Sequence, residues 1–259
     1  MTDPAFLDYA LTIARSAARA AEAVIARHYG SALAIETKVD TSPVTIADRE
    51  AERAIVAVLR QAFPEHAVYG EEYGHDGSSR YLWLIDPIDG TKAFVRNYPL
   101  FSTQIALMID GELVLGVSSA GQYGECAWAR RGGGAWLNDQ PLRVNATRRL
   151  AEAQLSIGNV KSLARDPLRW ADLGALVLAA NRTRGYGDFL HYHLLARGAV
   201  DAVIESDVNI LDIAALAVIV REAGGVFTNL DGGALDQDTR SVLAAAPALH
   251  AELLARMQR

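Results

Sequence analysis

What the sequence lacks narrows its class first. It has one cysteine, Cys126, in 259 residues, so no internal disulfide can form. No Cys/His cluster has the spacing of a zinc site. Basic charge is not in excess: Lys and Arg number 25 against 31 Asp and Glu, for a net charge of −6. The sequence pI is about 5.5. Non-specific nucleic-acid binding needs a basic surface, so nucleic acid is not an expected partner. No apolar run is long enough to span a bilayer. The start, Met-Thr-Asp-Pro, lacks the basic stretch and apolar run of a secretory leader, so the cytoplasm is the default expectation. There is no internal repeat and no low-complexity tract. What is present, 51% hydrophobic and 22% charged residues, is ordinary for a globular protein.

The chain is organised around Leu82-Trp83-Leu84-Ile85-Asp86-Pro87-Ile88-Asp89-Gly90-Thr91. The apolar run reads as a buried strand, and it ends in two carboxylates three positions apart. A strand of an open α/β sheet delivers such residues to the sheet's lip, where ligands gather. Two bare carboxylates held that close repel, and one is pushed to keep its proton. A hard divalent cation removes the conflict, and oxygen-only ligands suit Mg²⁺. Gly90 and Thr91 offer backbone N–H groups to a phosphate. The plainer reading is a turn after a strand with an Asx cap.

Around that stretch the pattern is regular. Asp3 and Pro4 open an amphipathic helix that Gly30 ends. Ala34 to Thr37 reads as a short strand, and Lys38 to Thr45 as a polar loop. Thr45 begins a second helix with Asp48 in its first turn. Ala67 to Gly70 is a strand running into Glu71. Ser102 to Ile109 and Glu112 to Ser119 form a hairpin about Asp110-Gly111, with a third strand over 123–130. Gly132 to Gly134 is a tight turn. From about residue 153 strands and helices alternate, which argues α/β layering. The whole of 1–259 reads as one domain, with an α+β half over about 1–150 and an α/β half over about 151–259.

Glu71, Asp86 and Asp89 each end a strand, and Asp212 opens a helix. Singly, each fits a cap or a surface charge. Together they can supply oxygens to several Mg²⁺ ions, an arrangement suited to phosphoryl transfer.

The motifs resemble the inositol monophosphatase-like family of Mg²⁺-dependent, lithium-sensitive phosphatases. The signature Asp-Pro-(Ile/Leu)-Asp-Gly-Thr stands in full at Asp86 to Thr91. Leu211-Asp212-Ile213-Ala214-Ala215 resembles the second signature, with leucine where an aromatic residue is usual. Gly70-Glu71-Glu72 and Ser42 to Asp48 complete four motifs in order. The resemblance implies a layered αβαβα sandwich of the inositol monophosphatase/fructose-1,6-bisphosphatase type, and a homodimer. It implies two to three Mg²⁺ per site. Glu71, Asp86 and the Ile88 carbonyl would hold the first, Asp86, Asp89 and Asp212 the second, and a third would sit near Glu71. Thr91, bonded to Asp48, would orient the attacking water, with Glu71 helping to take its proton. Gly90 and Thr91 would hold the phosphate, and Lys38 would add positive charge.

The expected substrate is a small phosphate ester. Arg184 to Tyr192 resembles the histidinol-phosphatase branch, where a Gly-x-Gly-Asp segment precedes an aromatic residue. Glu205, seven positions before Asp212, matches a substrate-binding acid of the family. Asp188 and Glu205 would then bind the cationic groups of histidinol phosphate. Inositol or sugar phosphates and a nucleotide 3′-phosphate are the alternatives. A regulatory partner of the transcription machinery, or a purely structural Mg²⁺ protein, are the non-enzymatic ones.

Overall fold

The computed structural model describes residues 3–31, 36–37 and 43–257. In chain order, α1 (Pro4–His28) is capped by Asp3, whose carboxylate accepts the Ala5 N–H at 3.0 Å. β1 (Glu36–Thr37) pairs with β2 (Pro43–Val44), and α2 (Ile46–Ala62) follows. Next come β3 (Ala67–Gly70), β4 (Gly74–Asp76), β5 (Tyr81–Asp89), the single turn α3 (Thr91–Phe94), β6 (Ser102–Ile109) and β7 (Glu112–Ala120). β8 (Glu125–Arg130), β9 (Ala135–Leu137) and β10 (Gln140–Pro141) end the first sheet. Then β11 (Gln154–Ile157), α4 (Lys161–Arg165), α5 (Pro167–Ala179), β12 (Arg182–Arg184) and α6 (Asp188–Ala196) follow. The chain closes with β13 (Ala202–Ser206), α7 (Ile210–Glu222), β14 (Val226–Thr228), β15 (Ser241–Ala245) and α8 (Pro247–Met257).

Two mixed sheets result. The larger has the order β10-β9-β8-β7-β6-β5-β3-β4, and the smaller β12-β11-β13-β15-β14. The strands of the larger sheet alternate their side chains between two cores. Trp83, Ile85, Ile105, Leu107 and Val117 face α1 and α2. Leu84, Ala106 and Met108 face α6 and α7. A third core, with Leu155, Ile204 and Leu243, lies against α5 and α8. The layers thus run helix, sheet, helix, sheet, helix, as the resemblance implied. α7 is the middle layer, and Ile210, Leu211 and every residue from Ile213 to Val220 are buried. A helix apolar all round from residue 213 to 220 needs protein on every side.

Local differences from the sequence reading have plain causes. β4 forms within the segment 73–80, because Gly74 and Asp76 return antiparallel along β3. β9 and β10 extend the sheet past the Gly132–Gly134 turn, where strands of three and two residues are too short to carry an alternation signal. The strand expected over 34–37 is described only at Glu36 and Thr37, and the loop residue Lys38 lies outside the described residues. Among the described residues, no helix is long and apolar enough to cross a membrane.

Candidate metal centre and active site

β5 carries its buried run straight into the site. Regular alternation would turn residues 86 and 89 to opposite faces of the sheet. Instead the pairing with β6 shifts register between Asp86 and Asp89. Such a bulge re-aims side chains, and here it brings both acids to one cleft. The Ile88 N–H donates to Asp86 Oδ1 at 3.0 Å, and Thr103 Oγ1 donates to the Pro87 carbonyl at 2.8 Å. Gly90 then turns the chain at φ 88°, where a Cβ would lie 2.7 Å from the Leu100 carbonyl oxygen. Only glycine meets both conditions.

Asp212 arrives from α7. Asn209 and Asp212 form a capping box: the Asn209 N–H donates to Asp212 Oδ2 at 2.8 Å, and its side-chain Nδ2 donates to Oδ1 at 2.6 Å. One oxygen from each of Asp86, Asp89 and Asp212 falls within 4.8 Å of the other two. Among the described residues this is the group of three acids that converges in this way. The cap and the ligand readings of Asp212 are therefore compatible.

Asp48 repeats the pattern at the start of α2. Its Oδ2 accepts both the Thr45 N–H and the Thr45 hydroxyl at 2.7 Å. Its Oδ1 faces Thr91 Oγ1 at 3.4 Å, while the same hydroxyl donates to the Ile88 carbonyl at 3.0 Å. Glu71 follows β3, with its N–H donating to the Ile85 carbonyl at 3.1 Å.

A cleft of about 380 Å³ brings Glu71, Asp86, Ile88, Asp89, Gly90, Thr91, Asp188 and Asp212 to one surface. Glu205 lines a deeper recess with Asp89, Asp188 and Asp212. It is 3% exposed, and its Oε2 accepts Tyr192 Oη at 2.7 Å and faces His191 Nε2 at 3.0 Å. Asp188 is the more open acid, held at φ 45° at the start of α6.

Sequence reasoning missed Glu52. It is 1% exposed and accepts the N–H groups of Glu72 at 2.8 Å and Tyr73 at 3.2 Å. A Cβ on Gly70 would stand 1.9 Å from Glu52 Oε1. A buried carboxylate thus holds the turn that presents Glu71. The signal was there: Glu52 shares the buried stripe of α2 with Asp48, Ile55 and Leu59. Lys92, Arg96, Tyr98 and Asn159 also line the cleft and carried no motif.

The electrostatics point to a missing positive charge. Burial, then the charges of Glu71, Asp89 and Asp212, push the Asp86 carboxyl well above its ordinary range. Burial, then Asp188, Asp212 and Glu205, do the same to Asp89. Asp212 is raised to about 7, chiefly by burial and against the opposing Asn209 N–H. Burial raises Asp48 to about 6, and burial with the Glu205 charge raises Asp188 to about 6. Burial also acts on Glu205, but His191 and Tyr192 outweigh it and hold that carboxyl below its usual range. Crowded oxygens of this kind fit a hard divalent cation.

The profile of the Inositol monophosphatase family matches residues 7–259. The chain belongs to this family. The histidinol-phosphatase of Mycobacterium tuberculosis (strain ATCC 25618 / H37Rv) is 42% identical over 233 residues, which cover 87% of this chain and 88% of that one. The histidinol-phosphatase of Streptomyces coelicolor (strain ATCC BAA-471 / A3(2) / M145) is 38% identical over 263 residues, 97% of each. The crystal structure of extragenic suppressor protein suhB from Bartonella henselae has a TM-score of 0.89 at 30% identity, covering 97% of this chain and 99% of that one. The inositol monophosphatase fold, two mixed sheets flanked by helices, is thus the one described above. The family's metal-dependent phosphomonoesterase chemistry agrees with the acids gathered at the cleft.

Proposed function

We propose that this inositol monophosphatase-family chain is a Mg²⁺-dependent phosphomonoester hydrolase of the cytoplasm that acts on histidinol phosphate. The convergence of Asp86, Asp89 and Asp212 within 4.8 Å carries the reading. Glu71, Asp86 and the Ile88 carbonyl would hold one ion, and Asp86, Asp89 and Asp212 a second. Bound Mg²⁺ supplies charge to the phosphate oxygens and lowers the pKa of water.

The chain's own groups do the rest. The Thr91 hydroxyl commits its proton to Ile88 or Asp48, so its lone pairs can accept a hydrogen bond from the attacking water. Asp48, mostly ionised at pH 7, anchors that orientation. Glu71 at the cleft is the base that takes the water's proton. Gly90 and Thr91 N–H groups bind the phosphate.

The substrate reading rests on acids beyond those the metals need. Asp188 and Glu205 continue the negative surface past Asp89. Histidinol phosphate offers a protonated amine and a titratable imidazole to meet them. The two relatives named histidinol-phosphatase support the same choice. A broader activity on sugar phosphates that carry a second phosphate is favoured by one observation: Lys92 and Arg96 line the cleft and suit a second anionic group. The exposed residues of α5, Leu168, Trp170 and Leu178, support a homodimer, which light scattering tests.

Phosphate release decides the substrate. Histidinol phosphate, inositol 1-phosphate, fructose 1,6-bisphosphate and adenosine 3′,5′-bisphosphate are compared with Mg²⁺ and with chelator. Histidinol phosphate should give the highest kcat/KM, and chelator should abolish turnover. Faster hydrolysis of inositol 1-phosphate would overturn the substrate, and full activity after metal removal would overturn the mechanism.

A further inference from the structure

α6 carries three adjacent side chains that are at most 1% exposed: His191, Tyr192 and His193. The first two hold Glu205. The third points elsewhere. His193 Nδ1 lies 2.9 Å from Glu125 Oε2, and Nε2 lies 2.9 Å from Ser118 Oγ. Gln104 Nε2 is 3.1 Å from Ser118 Oγ and 2.7 Å from Ser102 Oγ. Ser102 Oγ is 3.4 Å from Asp89 Oδ2. The register makes this path continuous, because Gln104 lies opposite Ser118 and Ser102 opposite Asp89.

Each link has one allowed direction. Burial holds the His193 imidazole below its usual range, so it is neutral at pH 7. Glu125 can only accept, so His193 Nδ1 carries the proton and Nε2 accepts from Ser118. Ser118, its own proton spent on His193, accepts from Gln104. The second Gln104 N–H goes to Ser102. The Ser102 hydroxyl is then left to donate to Asp89. Reversing the Gln104 amide would turn its oxygen toward Ser118 Oγ, whose proton is already given to His193. In the present orientation Gln104 Oε1 has no hydrogen-bond partner among the described residues.

We infer that Glu125, His193, Ser118 and Gln104 form a positioning relay that aims the Ser102 hydroxyl at Asp89 and fixes that carboxylate for metal binding. The inference rests on the metal-centre reading above. A purely structural role explains the path less well. Apolar residues of similar size would fill the space without an orphaned amide oxygen. The path also ends on a metal-centre carboxylate instead of closing on itself. Outer partners of metal ligands orient them, and their loss weakens metal binding.

Titration calorimetry of Mg²⁺ into the full chain, without substrate, tests this. Gln104→Met and Ser118→Ala should each weaken Mg²⁺ binding, by up to about 10-fold. His193→Phe should match Ser118→Ala. His193→Gln should recover most of the affinity, because its amide keeps one donor and one acceptor. In a Ser102→Ala background, Gln104→Met should have no further effect. Ser118→Ala removes a single oxygen and decides the matter if the larger changes prevent folding. Wild-type affinity in folded Ser118→Ala would overturn the relay, as would a Gln104→Met loss that persists without Ser102. A wild-type chain that binds no Mg²⁺ would end both the relay and the metal reading, whereas normal binding with indifferent variants ends only the relay.

Discussion

Gly116 of β7 lies so close beneath Ala215 of α7 that a Cβ on Gly116 would stand 2.3 Å from the Ala215 carbonyl oxygen. Backbone meets backbone there, and the contact sets the height of α7 over the sheet. Asp212 sits one turn earlier on the same helix. Gly116→Ala should therefore destabilise by about 1–3 kcal/mol through overpacking. It should also weaken Mg²⁺ binding by displacing Asp212. Denaturant midpoints and metal titration read the two effects; an unchanged protein would mean the contact is slack.

Asp89→Asn and Asp212→Asn should both lower activity, and Asp89→Asn should at the same time raise the stability of the metal-free protein. Each removes one charge from the proposed metal ligands, so turnover should fall roughly 10²-fold or more. Asp89→Asn also relieves carboxylate crowding, so that metal-free variant should melt above the metal-free parent at pH 8, whereas Asp212→Asn sets an amide N–H against an Asn209 donor and forfeits that gain. A variant with parental turnover and an unchanged Mg²⁺ requirement would show that residue is not a ligand.

The metal-free protein should lose stability as pH rises from about 4 to about 7. Asp48 and Asp188 at about 6 and Asp212 at about 7, with Asp86 and Asp89 also raised, bind more protons folded than unfolded in that window. Stability therefore falls as those protons leave. Glu125 and Glu205 are held low, so their contribution is lost only as pH falls through the ordinary glutamate range and below it. Mg²⁺ should flatten the decline. Thermal melts with chelator between pH 5 and 8 check it, and a rising midpoint would contradict the assignment.

Asp188→Asn should separate substrates. Asparagine tolerates the left-handed backbone found there. Loss of one charge-assisted hydrogen bond should lower kcat/KM for histidinol phosphate by roughly 10- to 150-fold. A small neutral phosphomonoester should change far less. Equal losses on both would assign Asp188 to the metal centre or to folding.

The site was legible where its chemistry is local in the chain. Asp86 to Thr91 fit within one strand end, and Asp212 within one helix start. Ser102, Gln104 and Ser118 were not legible. Their roles depend on which strands pair and in which register, and a polar residue in a strand pattern looks the same whether it faces water or a buried neighbour. The layered fold was legible because alternation and helical stripes are periodic. β9 and β10 were not, since strands of two or three residues lack a period to read.

α7 is enclosed by both sheets, and this bears on how the protein opens. Its amides should be among the slowest to exchange with solvent, because reaching them requires global unfolding. Asp212 stands at the start of that helix and Asp86 at the end of the central strand. A metal ion held by both would tie the central strand to the middle helix. Saturating metal should then slow exchange across the whole core. The active site would then report on the integrity of the entire molecule.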